Sequence, residues 1–89
     1  MLRDVVEDLL FTDEFDLLRN VYPEMDAVHA SMTFALASDP RVGTPIEGFP
    51  VPTIRLFKTT PIGGTPRFRV LYRFTSDQVI LLAIDIDRE

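Results

Sequence analysis

The spacing of apolar residues changes once along this chain, near residue 53, and that change constrains the fold more than any other feature. Before it, apolar residues recur at intervals of three and four. After it, they alternate. A helix returns a side chain to the same face about every 3.6 residues and a strand every second residue. A chain with one period in each half segregates its helices from its strands, which defines the α+β class.

The alternation is clearest over Arg67–Phe74, where Phe68, Val70, Tyr72 and Phe74 line one face and Arg67, Arg69, Leu71 and Arg73 the other. Thr53–Thr59 reads as a strand with Ile54, Leu56 and Lys58 on one face and Arg55 and Phe57 on the other. Val79–Ile86 is nearly continuous in apolar residues, which predicts a central strand covered on both faces. The turn-rich segments Pro61–Pro66 and Thr75-Ser76-Asp77 join these runs, so the three strands form an antiparallel meander.

In the N-terminal half, Thr12-Asp13-Glu14 resembles a helix start, followed by Phe15, Leu18, Val21 and Tyr22 at helical intervals. Pro23 breaks this helix and opens a second. The second carries the apolar stripe Met25, Val28, Met32, Ala35 and Leu36 and ends at Ser38-Asp39-Pro40. Residues 2–11 admit two readings. Leu2, Val5, Val6, Leu9 and Leu10 have helical spacing, whereas Val6–Phe11 also suits a first strand. Arg41–Pro52 is an irregular connector, rich in glycine and proline, with Val42, Ile46, Phe49 and Val51 available to pin it to the core. The expected architecture is a single two-layer α+β domain over residues 1–89: a helical hairpin packed on an antiparallel meander of three to four strands.

Composition narrows the function classes. The 89 residues include no cysteine, which excludes disulfides and thiolate metal sites. The hydrophobic fraction of 46% argues against intrinsic disorder. The N-terminal residues lack a signal-peptide pattern, and the longest apolar run, Val79–Ile84, is far too short to span a bilayer. From these features a cytoplasmic protein with no membrane partner is expected. The net charge is −5, with acids concentrated in the helical half. Arg41, Arg55, Lys58, Arg67, Arg69 and Arg73 fall in a stretch where Glu47 is the lone acid. Global charge disfavours non-specific nucleic-acid binding, but a local basic face suits a phosphate backbone.

The arginine-bearing strand is the main functional candidate. Arginine grips phosphate bidentately and keeps its charge, so a ladder of Arg67, Arg69 and Arg73, with Arg55 on the neighbouring strand, suits an RNA backbone or a developing phosphate charge. The alternative is a solvated face whose arginines pair with the abundant acids. His29, the sole histidine, borders the second helix's apolar stripe. Asp85 and Asp87 alternate at the end of the last strand; they could form a carboxylate pair, but they read first as a solvated strand end. No cluster has metal-ligand spacing, so no metal or cofactor is implied. Gly63-Gly64 precedes a strand rather than a helix and is read as a turn. An unblocked edge at Thr53–Thr59 suits a homodimer or a partner strand, unless Lys58 and the nearby prolines protect it.

Phe11-Thr12-Asp13-Glu14-Phe15, Asp39-Pro40 followed by Gly43, and Arg67–Phe74 followed by an acidic turn and an apolar strand occur in one order. That order resembles the RelE/ParE toxin superfamily over roughly residues 6–87. The resemblance implies a strand, two helices and a meander. It also implies a type II toxin with a cognate antitoxin partner, either a metal-independent endoribonuclease acting on mRNA at the ribosome or a gyrase inhibitor. Arg69 matches the family's strand arginine and Arg88 lies near the basic position after the last strand, so these two are the implied catalytic residues. Arg55, Lys58, Arg67 and Arg73 are the implied phosphate contacts. The family's Gly-His-Arg or Gly-Lys-Arg segment is replaced here by Ile84-Asp85-Ile86-Asp87-Arg88. A non-catalytic interaction module on the same fold is the alternative from a different class.

Overall fold

The computed structural model describes residues 2–48 and 54–88. In chain order the elements are β1 (Asp4–Glu7), α1 (Leu9–Val21), α2 (Met25–Ser38), β2 (Thr44–Pro45), β3 (Arg55–Lys58), β4 (Phe68–Phe74) and β5 (Gln78–Ile86). Among the described residues the strands form one five-stranded sheet in the order β1-β5-β4-β3-β2. The α+β class and the helix pair are as expected, but the sheet is neither three- to four-stranded nor wholly antiparallel. β1 pairs with β5 in parallel, and the connector contributes β2, which pairs with β3.

Residues 2–11 divide between the two readings. Val5 faces the core, and the ends of β1 are tied to β5 by the Asp4 and Asp8 N–H groups, which donate to Asp77 O and Leu81 O. Leu9 and Leu10 then begin α1 and remain exposed, so the helical spacing of the N-terminal apolar residues does not form one buried stripe. The helix starts three residues before Thr12. Asp8 occupies the cap position without a side-chain cap, and the Thr12 hydroxyl instead donates to Glu7 Oε1 at 3.0 Å. Pro23 lies in the turn between the helices rather than in the first turn of α2, which begins at Met25.

Both helices cover one face of the sheet. Phe11 and Phe15 from α1 and Met25, Val28, Met32 and Leu36 from α2 meet Phe68, Val70, Tyr72, Val79, Leu81 and Ile84 from β4 and β5. Of the stripe the spacing predicts on α2, Met25, Val28, Met32 and Leu36 are buried; Ala35 is only partly so, and Ala37 is buried instead. Val21 departs from its expected place, lying on the solvent side of α1 with Leu17. Burial of one large apolar side chain is worth about 1.5–3 kcal/mol, so this continuous cluster is the main source of stability.

The apolar run of β5 has a different cause from the one its sequence suggests. Leu71 pairs with Ala83 but Tyr72 with Leu81, leaving Leu82 as an extra residue in β5. This bulge shifts the alternation by one position. Val79 and Leu81 face the core before it and Ile84 after it, while Ile80 and Ala83 lie opposite Arg73 and Leu71 on the other face. β5 is therefore covered by helices on one face only. It is central along its first half, where β1 flanks it, and an edge beyond Leu81.

The connector is held by one buried hydroxyl. Tyr72 Oη donates to Pro40 O and accepts from Gly43 N at 3.0 Å. A Cβ at Gly43 would sit 2.5 Å from that oxygen and 2.8 Å from Leu56 O, so only glycine fits there. Val42, expected to pin this segment, is 53% exposed. Ile46 is half-buried, and Phe49 and Val51 lie outside the described residues. The β3 edge is partly covered, since Thr44 and Pro45 pair with Leu56 and Arg55.

Candidate functional site

The face of the sheet opposite the helices carries Lys58, Arg69 and Arg73. Lys58 on β3 lies across from Arg69 on β4, and Arg69 lies across from Asp85 on β5. Arg69 donates to Asp85 through Nε at 3.2 Å and through Nη2 at 2.7 Å, a two-pronged pairing. Lys58 Nζ lies 3.3 Å from the carboxylate of Asp87, whose side chain is only 4% exposed. Arg73 occupies the same face, opposite Ile80, and is half-buried. Arg67 sits just before β4 and is exposed. Its carbonyl accepts from Asp87 N at 2.9 Å. Arg88 follows β5 and is exposed.

The structure thus brings Lys58, Arg69 and Arg73 onto one face, with Arg67 at its margin. It separates Arg55 from them. Arg55 is the cross-strand partner of buried Tyr72 and lies on the helix side. Its Nη1 donates to Gly43 O at 2.7 Å and to Arg41 O at 3.3 Å, and its guanidinium lies over Phe74 at 5.8 Å from the ring centre. Phe74, on the face of Phe68, Val70 and Tyr72, is half-buried: it packs against the core and also meets Arg3 and Arg55. Asp85 is exposed, as a solvated strand end would be, whereas Asp87 is nearly buried; both pair with the basic row, which matches the reading in which its cations meet the chain's acids. Which acid meets which cation is set by the bulge at Leu82, and nothing local marks that register.

Beside the row, Leu56, Leu71, Ala83 and Ile46 floor a groove of about 290 Å³, with Arg69 and Asp85 at its rim. Glu14 reaches this groove from α1 and accepts from the Ile84 N–H at 3.0 Å. That bond satisfies an outward-facing N–H on the part of β5 that β1 does not cover. On the helix side, Glu7 accepts from Thr12 and lies 2.7 Å from His29 Nε2, so β1, α1 and α2 meet at one carboxylate. His29 packs edge-on against Phe15. It is remote from the basic row, in keeping with a boundary residue.

Chemically, the face offers fixed positive charge and hydrogen-bond donors for an anion, but each of its two central cations already has a carboxylate. Among the described residues no three metal-ligating side chains converge, and no helix is long and apolar enough to cross a membrane. Burial pushes the Tyr72 phenol above its ordinary pKa, with the Gly43 N–H and Arg55 drawing it partly back. Neither a protein-family model nor a curated protein matches the chain.

Proposed function

We propose that this chain is the toxin member of a RelE/ParE-type toxin–antitoxin pair that acts in the cytoplasm on RNA through the open face of its sheet. The observation that carries the reading is the row Lys58–Arg69 with Arg73 beside it, set on the face that the helices leave uncovered. The order strand, helix pair, meander supports it further. In this role Arg69 and Arg88 stabilise charge at the scissile phosphate, while Lys58, Arg67 and Arg73 position the RNA backbone. No metal takes part. Arg55 faces away and holds the connector instead. The protein partner is a cognate antitoxin.

A second reading, a non-catalytic partner-binding module or gyrase inhibitor on the same fold, is favoured by two features. Asp85 and Asp87 occupy the central cations, and Leu9, Leu10, Leu17 and Val21 leave α1 with an unusually apolar outer surface. Induced expression of the wild type and of Arg69→Ala, with folding checked by circular dichroism, separates the readings. Growth arrest abolished by Arg69→Ala supports RNA chemistry on this face. Arrest by both forms points to a protein target, and arrest by neither removes the toxin reading.

A further inference from the structure

Two carboxylates, Asp85 near the end of β5 and Asp87 just past it, hold two of the cations that the proposed function assigns to RNA. Asp85 meets the fork of Arg69 with both oxygens, as a phosphate would. Asp87 meets Lys58 on the next strand but one. Residues two apart on a strand face are separated by about 6.5–7 Å. That is comparable with the distance between successive phosphates of an extended nucleic-acid strand.

The two pairs differ in accessibility. The Arg69 and Asp85 side chains are 37% and 58% exposed, so water competes for both. Asp87 is nearly sequestered at 4%. An exposed pair is held weakly and exchanges readily, whereas a sequestered carboxylate has little alternative solvation.

We infer that Asp85 and Asp87 act as built-in phosphate mimics that gate the basic face, admitting an RNA backbone only when it displaces Asp85 from Arg69. This rests on the RNA-binding reading above and deepens it. The gate sets specificity: an isolated anion gains one contact and loses it to a tethered competitor, while a run of phosphates also gains Arg73 and Arg67. The exposed pair opens first and the Lys58–Asp87 pair stays closed longer. Asp85 and Asp87 touch the cations rather than the reacting atoms, so they are positioning residues.

The test is fluorescence anisotropy of a short labelled single-stranded RNA with the full chain, comparing wild type, Asp85→Asn, Asp87→Asn and Asp13→Asn. The Asp13→Asn change alters net charge equally at an exposed site on α1. Asp85→Asn is expected to tighten binding about three- to tenfold, and adding Arg69→Ala to it is expected to abolish the gain. Asp85→Asn alters an exposed side chain and serves as the primary variant should Asp87→Asn impair folding. RNA binding by the wild type with no gain in Asp85→Asn, or an equal gain in Asp13→Asn, overturns the gate and leaves the RNA reading standing. Failure of every form, Asp85→Asn included, to bind RNA overturns both.

Discussion

Replacing Tyr72 by phenylalanine removes one oxygen from a side chain that is 0% exposed, and the structure sets the consequence. That oxygen donates to Pro40 O and accepts from Gly43 N, and both partner residues are buried. Without it, one carbonyl and one N–H are left unpaired out of water. Each such orphan costs about 1–3 kcal/mol, and the gain from removing a polar atom offsets part of this, so the net loss is about 2–4 kcal/mol. For a chain of this size that corresponds to a fall in Tm of roughly 10–25 °C. Urea denaturation followed by circular dichroism measures it, with an unchanged m value showing that the denatured state is unaltered. The effect extends to Arg55, whose acceptors Gly43 O and Arg41 O lie on the segment that the hydroxyl anchors. A loss below about 0.5 kcal/mol would refute the reasoning, because the connector would then be held by something other than this hydroxyl.

Two further outcomes follow from the same geometry. The Tyr72 pKa is raised in the folded state chiefly by burial, so its contribution to stability is fully present below the unfolded value of about 10 and is lost as pH rises through the folded value. Tyrosinate absorbance should therefore show Tyr72 ionising late, together with unfolding, and its ionisation at the ordinary value in the folded protein would contradict the account. Glu14→Ala strips the acceptor from Ile84 N–H. It should cost about 1 kcal/mol, with amide exchange at Ile84 rising about fivefold, and unaltered exchange there would show that the carboxylate does not cap the strand.

The two faces of β4 are legible from sequence because a strand's period is a property of its own backbone. Phe68, Val70 and Tyr72 are buried, with Arg69, Leu71 and Arg73 opposite, as alternation requires. The α2 stripe of Met25, Val28, Met32 and Leu36 is legible for the same local reason, and so is the order of helices before meander. Beyond the antiparallel meander of β3, β4 and β5, what depends on one element meeting another was decided by the tertiary structure. Residues 4–7 are a strand because β5 offers them hydrogen bonds, against the helical spacing of their own sequence. Arg55 lies opposite Tyr72 rather than beside Arg69 because of the β3–β4 register. Asp85 faces Arg69 because Leu82 inserts one residue into β5, and a one-residue shift moves every later side chain to the other face. Sequence alone thus named the cations and the acids near them, and only the pairing of strands decided which carboxylate holds which cation and removed Arg55 from the row.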